Sequence, residues 1–497
     1  MPASDRPNVL LITADHMRRD ALGCNGNWFV DTPNLDSLAA RGVTFANSYT
    51  PNPICVPARA AITTGNYPHV ATDSKTNSGR IGEDQIKIAE HFADAGYRSM
   101  AIGKLHYVPY APPDEPRLLH GFEHAELCEE GRILARFDPT GEMRGLEDYH
   151  DWLHEQGWGG YERAHAIGNN DVRAAASPLP EELHEESWVA TRTIANLEAH
   201  LSENPQQPFF TWASFTKPHA PYDPPRPWDA MYDPREVPPP IGNFEMMSDR
   251  DPMYRHWPVA YGWDRMSPEA IQNSRAHYFG MVSFQDHNIG RIINWLEEAG
   301  HLDNTIIVYS CDHGDLLGDF RCFFKCNMFE GSVGVPLIFA GPGVTAQEPV
   351  EALAGLQDIL PTVAELTGTP LPQDVMGESL APVLDGSEDR VRDIYISQSL
   401  ESPNQRYMVR TLRWKYVYHE LGGVEELYDR MEDPRELANR AAERPEVLAE
   451  LRGALLGWVR DNGDKAMLDE SGDLVVSDES LAECDGFQDG RMGWRWY

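Results

Sequence analysis

Lysine is nearly missing from this chain. Seven of its 497 residues are lysine against thirty-five arginine, while aspartate and glutamate number 78 and leave a formal net charge of −36. So acidic a balance argues against nucleic acid or an anionic membrane as partner, since both demand basic patches. A salty habitat and a GC-rich genome would each produce it. Long apolar runs are also absent near the N-terminus. The stretch Val9 to Ile12 is too brief for a signal-peptide core or a membrane span, so a soluble, cytoplasmic protein is expected. Cysteine is sparse: seven scattered residues, at 24, 55, 128, 311, 322, 326 and 484, are odd in number and speak against a disulfide scaffold. No internal repeat or low-complexity block is visible.

What is present has the rhythm of an α/β protein. Its length allows one large domain with an appendage, or two to four ordinary ones. Asn8 to Thr13 is a continuous apolar run of strand length, suited to a sheet buried on both faces. Ser99 to Ile102, Pro208 to Phe215, Thr305 to Cys311 and Val335 to Ala340 read as further strands. Helical patterns run from Pro33 to Ala40, with Thr32 as N-cap and Gly42 as terminator, and over 268–299 and 357–367. Strands alternating with helices imply a large mixed, mostly parallel sheet sandwiched by helices, with ligands at the carboxyl ends of the strands. After about Gly377 short alternating strands (393–398, 407–419, 425–429) and a helix over 445–459 imply a small C-terminal antiparallel sheet plus one helix. The expected organisation is 1–376, 377–463, and an acidic tail over 464–497. That tail ends Trp494-Arg495-Trp496-Tyr497, an aromatic end expected to dock on its own subunit or, the favoured alternative, at an oligomer interface.

The chemistry-bearing residues come in short runs. Cys55-Val56-Pro57-Ala58-Arg59 leads into Thr64-Gly65, with residues 58–64 reading as a helix. Taken alone it is a buried cysteine at a loop-to-helix junction. A nucleophile there would gain from the helix dipole, with Arg59 on the same face. Asp15-His16 follows the first strand and Asp312-His313-Gly314-Asp315 follows Thr305 to Cys311. Carboxylate beside imidazole at a strand end caps a turn or binds a metal. Gly103-Lys104-Leu105-His106 and Lys217-Pro218-His219-Ala220-Pro221 close two more strands, and Lys325 precedes Phe329-Glu330-Gly331. Each run alone also fits an ordinary polar loop.

Together, and in this order, the runs resemble the type I, formylglycine-dependent sulfatases of the alkaline phosphatase superfamily. Leu412-Arg413-Trp414-Lys415-Tyr416, Glu426-Leu427-Tyr428-Asp429 and Asp433-Pro434 extend the resemblance to about residue 460. It implies that Cys55 is oxidised to formylglycine by a maturation enzyme and that its hydrate attacks sulfur. It implies a divalent metal held by Asp15, Asp312, His313 and the matured residue made from Cys55. Arg59, Lys104 and Lys325 would neutralise sulfuryl charge, His219 would protonate the leaving alcohol, and His106 would act as base in expelling sulfate. His16 departs from the Asp or Gln common at its position. Histidine suits calcium poorly and manganese or zinc better, so either His16 lies off the metal or the metal is not simply calcium, which is otherwise expected.

The expected activity is hydrolysis of a carbohydrate, aryl or alkyl sulfate ester. The alternatives are a phosphonate monoester hydrolase or phosphodiesterase of the same superfamily, which generally lacks Gly-Lys-x-His, and a non-catalytic binder of sulfated glycans. A homo-oligomer is expected.

Overall fold

Asn8–Asp15 forms β1, buried along its whole length, because neighbouring strands flank it on both sides. The computed structural model describes residues 6–106, 117–129, 144–168 and 170–479. The other strands of the main sheet are β2 (Gly42–Tyr49), β3 (Arg98–Gly103), β4 (His124–Leu127), β5 (Phe209–Pro218), β6 (Thr305–Cys311), β7 (Leu337–Ala340) and β8 (Val350–Gly355). Their order across the sheet is β4-β3-β5-β1-β6-β7-β2-β8. β1 pairs in parallel with β5 and β6, and β3 in parallel with β4 and β5.

β7 alone runs antiparallel to its neighbours β6 and β2. The reason is the path of the chain. Residues 312–336 leave the carboxyl end of β6 and return to the same edge, where Leu337 pairs with Ser310. That excursion carries Lys325.

The helices that matter for the site are α1 (Pro33–Ala40), α2 (Cys55–Thr64), α3 (Glu185–Glu203), α4 (Pro268–Glu298) and α5 (Ile359–Thr367). α3 and α4 pack on each other and on β5, while α2 packs against α5. Two sequence expectations about α1 are corrected. The Thr32 side chain does not cap it; the hydroxyl bonds Asp36 and the Gly23 N–H instead. The first-turn N–H groups of Asn34 and Leu35 donate to Asp286 of α4, at 3.2 and 2.8 Å. Gly42 opens β2 rather than terminating α1. A Cβ there would lie 1.9 Å from the Phe339 carbonyl oxygen, so the close pairing with β7 requires glycine.

The C-terminal region forms a second sheet of β9 (Tyr395–Ser399), β10 (Arg406–Arg410), β11 (Trp414–His419) and β12 (Val424–Asp429), in the order β12-β11-β10-β9 and antiparallel throughout. The stretch 407–419 is therefore two strands and a turn. Helix α6 (Pro445–Asn462) lays Leu451, Leu455 and Val459 on Tyr407, Val409, Tyr416 and Leu427. Met467 and Leu474 complete this core, so the described start of the tail docks on its own chain. Trp494 to Tyr497 lie outside the described residues.

An ionic junction ties the second sheet to the first. Glu330 meets Arg19 at 2.7 Å, Lys415 at 3.2 Å and Arg430 at 3.2 Å, and Lys415 also meets Glu436 at 2.6 Å. Arg406 of β10 makes a bidentate pair with Asp251, at 2.8 and 3.0 Å.

Candidate active site

Four strands of the main sheet end at one place. β1 delivers Asp15 and then His16, β3 delivers Lys104, β5 delivers His219 and β6 delivers Asp312 and His313. Gly103 adopts a left-handed φ of +101°, and a Cβ there would lie 2.0 Å from the Ser214 carbonyl oxygen. Glycine thus lets β3 turn sharply while the Lys104 N–H still donates to Ser214. Such strand ends gather ligand-binding groups in α/β sheets.

Cys55 is the first residue of α2 and is fully buried. Its Sγ lies 3.2 Å from His313 Nε2, 3.0 Å from Lys325 Nζ and 3.9 Å from Asp15 Oδ1. The helix N-terminus and the ammonium both favour an anion at this atom. One turn on, the Arg59 guanidinium donates from Nε to Asp312 at 2.9 Å and from Nη1 to the Lys104 carbonyl and Ser214 Oγ, at 2.7 and 2.8 Å. Its Nη2 is buried and unpaired among the described residues. The Arg59–Asp312 pair therefore locks α2 to β6 across the site.

Asp15, Cys55, Asp312 and His313 each offer a ligand atom within 4.8 Å of the others, all buried. Two carboxylates and one imidazole are a donor set that suits a divalent cation. His313 donates from Nδ1 to the Gly314 carbonyl at 3.0 Å, which leaves the Nε2 lone pair facing the cluster, the arrangement that orients a metal-binding histidine. Burial opposes ionisation of Asp15, but Lys104, His219, Lys325 and His16 outweigh it and hold its carboxyl well below the usual range. Lys104 Nζ bonds Asp15 directly. Asp15 is thus kept charged inside the protein.

A second set, Asp15, His16 and His219, meets the same distance criterion. The His16 and His219 rings meet edge to face at 4.1 Å. His219 donates from Nδ1 to the Ala220 carbonyl at 2.6 Å. Burial and then His16 depress its basicity strongly, and His16 is pushed down to about 3 by burial and Lys325. His106 is buried at the same sheet edge with a left-handed φ of +57°, its backbone N–H donating to Glu129 at 2.9 Å.

Several residues with a part in this geometry carried no role in the sequence. Lys217 is fully buried and ties down the loop that bears His219. Its Nζ meets Asp223 at 2.7 Å, Glu185 at 3.3 Å and the Pro221 carbonyl at 3.1 Å. Tyr254 donates to the Lys325 carbonyl, and Asp315 braces His16. Lys217 and Asp315 lay within runs singled out in the sequence; Tyr254 had no such signal. Five of the seven lysines, 75, 104, 217, 325 and 415, are buried, so the scarce residue is spent inside the protein.

A buried nucleophile beside carboxylates, imidazole and ammonium at a strand edge is the layout of a metal-assisted hydrolase working through a covalent nucleophile. The comparisons make the class specific. A family model described as Sulfatase matches residues 7–369, and one described as N-sulphoglucosamine sulphohydrolase, C-terminal, matches residues 318–458. An arylsulfatase of Clostridium perfringens (strain 13 / Type A) is 32% identical over 458 residues, spanning 87% of this chain and 90% of the relative. A choline-sulfatase of Rhizobium meliloti (strain 1021) is 31% identical over 444 residues, spanning 88% and 82%. The crystal structure of the phosphonate monoester hydrolase of Agrobacterium radiobacter has a TM-score of 0.78 at 26% identity, covering 94% of this chain and 99% of that one.

The chain belongs to the sulfatase family, the sulfuric ester hydrolases of the alkaline phosphatase superfamily. The family implies a metal and a formylglycine made from cysteine. Among the described residues no helix is long and apolar enough to cross a membrane.

Proposed function

We propose that this chain hydrolyses sulfate monoesters of a carbohydrate, aryl or alkyl alcohol, with residue 55 as nucleophile once Cys55 has been converted to formylglycine. The observation that carries the reading is the position of Cys55 Sγ, within 3.2 Å of both His313 Nε2 and Lys325 Nζ at the start of α2. The sulfur marks where the hydroxyl of the hydrated aldehyde would stand. A formylglycine-generating enzyme is then a required partner, and a homo-oligomer with the aromatic tail at its interface belongs to the same proposal.

Asp15, Asp312 and His313 would hold the divalent cation. When bound it supplies Lewis-acid polarisation of the sulfuryl oxygens and of the residue 55 hydroxyl. Calcium fits a set richer in oxygen than nitrogen, and manganese or zinc would fit if His16 joined it.

The protein's own groups do the rest. Lys325 faces the nucleophile and neutralises charge on a sulfuryl oxygen, and Arg59 keeps a buried donor, Nη2, for the same purpose. Lys104 and Arg59 hold Asp15 and Asp312 in place. His219, held through Nδ1 by the Ala220 carbonyl, presents Nε2 and would carry the proton that the leaving alcohol needs. His106 would accept the proton that accompanies release of sulfate.

The resemblance to a phosphonate monoester hydrolase favours a second reading on that substrate class. Gly103-Lys104-Leu105-His106, with Lys104 bonded to Asp15, supports the sulfatase. Relative kcat/KM on aryl sulfate and on phenylphosphonate monoesters tests the choice: higher values on sulfate are expected, and the reverse order would replace the first reading by the second.

A further inference from the structure

His16 stands where the family commonly has Asp or Gln, yet its surroundings account for every polar atom of its ring. Nδ1 lies 2.7 Å from Asp315 Oδ2. Asp315 is fully buried, and its Oδ1 accepts the backbone N–H groups of Leu317 and Phe324, at 2.7 and 2.8 Å. Tyr222 Oη donates to the same oxygen as His16, at 3.1 Å. An ammonium only donates and Lys325 Nζ faces Nε2, so Nε2 carries the lone pair and the His16 proton sits on Nδ1, toward Asp315. That lone pair meets Lys325 Nζ at 2.6 Å, while the nearest Asp15 oxygen is 3.9 Å away.

We propose that His16 is a positioning residue for the sulfate-binding lysine: Asp315, His16 and Lys325 form a relay that aims the ammonium at residue 55, and His16 is not a metal ligand. The inference rests on the sulfate-ester reading given above.

Three observations converge on this arrangement. Asp315 grips both ends of the relay, with Oδ2 on His16 and Oδ1 on the N–H of Phe324, the residue before Lys325. The backbone beyond is pinned as well, the Lys325 carbonyl by Tyr254 Oη and the Cys326 N–H by the carbonyl of Pro53, two residues before Cys55. The ammonium held by His16 also lies 3.0 Å from Cys55 Sγ, so the relay sets it against residue 55. The set Asp15, His16 and His219 could hold a second cation by geometry alone. Lys325 already places a positive charge on it and Lys104 another on Asp15, so a further divalent ion would meet like charges.

The test combines metal analysis of the purified, matured protein with binding of inorganic sulfate and of phosphate by calorimetry, and with steady-state kinetics. The variants are His16→Ala, His16→Gln, Asp315→Asn, Lys325→Ala and the His16→Ala/Lys325→Ala pair. His16→Ala and Asp315→Asn are expected to keep the wild-type metal content. They are expected to weaken anion binding and raise KM by about 10- to 100-fold, the range for one lost charge-assisted hydrogen bond. His16→Gln, whose amide oxygen can still accept from the ammonium, is expected to recover part of that loss. In the Lys325→Ala background His16→Ala should cost nothing more, a coupling that a merely structural role would not produce. Loss of metal in His16→Ala, or full additivity of the two substitutions in anion binding, would overturn the relay. A matured wild type that turns over no sulfate ester, while His16→Ala keeps its metal and binds anion less tightly, would instead count against the function and leave the relay standing.

Discussion

Lys217 and Asp223 are paired at 2.7 Å beneath the loop that carries His219. His219, the proposed general acid, therefore rests on a buried ion pair two residues before it and four after. Lys217 Nζ also holds Glu185 of α3 and the Pro221 carbonyl, so the loop is tied to a helix on the sheet.

Lys217→Met is expected to reduce turnover through the leaving group. Mispositioning a general acid forfeits up to about 10²- to 10⁴-fold, and most where the alcohol is a poor leaving group. On matched substrates kcat should fall steeply for an alkyl sulfate and little for 4-nitrophenyl sulfate, with metal content unchanged. Equal losses on both would show that His219 does not act on the leaving oxygen.

Arg59→Ala should damage the fold as well as the chemistry. It leaves the fully buried Asp312 without its guanidinium partner, and breaking a buried pair from one side costs about 3–5 kcal/mol. Denaturant unfolding of Arg59→Ala against wild type measures this, and a change near zero would mean that the pair is not closed in solution.

The junction at Glu330 sets an acid limit. Burial opposes the Glu330 charge, but Arg430, Lys415, Arg19 and Arg410 outweigh it and hold its carboxyl well below the ordinary glutamate range. A carboxylate depressed in the folded state contributes stability that is complete above the unfolded value and is lost as pH falls through the folded one. Thermal stability should therefore drop below about pH 4.5. Glu330→Gln should be less stable at neutral pH and show a shallower acid limb. Parallel limbs for the two proteins would assign the acid loss to other groups.

Chelation provides a further check on the donor set. Removing the divalent cation should abolish turnover and restore it on readdition, while Asp312→Asn or His313→Ala should lower metal content measured directly. Unchanged metal content in both variants would move the cation away from this cluster.

Much of this site was legible because its residues sit in short local runs at strand ends. Asp312 and His313 follow a strand whose bounds match Thr305–Cys311 as observed, and the Cys55 run forms the helix its pattern implied. β2 escaped notice since Thr44, Asn47 and Ser48 break any apolar alternation; their polar atoms are buried against distant chain, Asn47 bonding Glu351 and Arg410. The reversal of β7 was likewise hidden, being a consequence of where residues 312–336 return. Asp315 lies in a recognised run, but its work depends on His16 and Tyr222, 299 and 93 residues away in sequence. Partners at such separations leave no local pattern to read.

The conversion of Cys55 is tested most directly by mass spectrometry of the peptide spanning Cys55 to Arg59, from protein made with a formylglycine-generating enzyme and shown to hydrolyse a sulfate ester. The expected peptide has lost the sulfur and two hydrogens of the cysteine and gained an aldehyde oxygen, in a fraction that tracks specific activity across preparations. An active preparation in which residue 55 is wholly unmodified cysteine would contradict it.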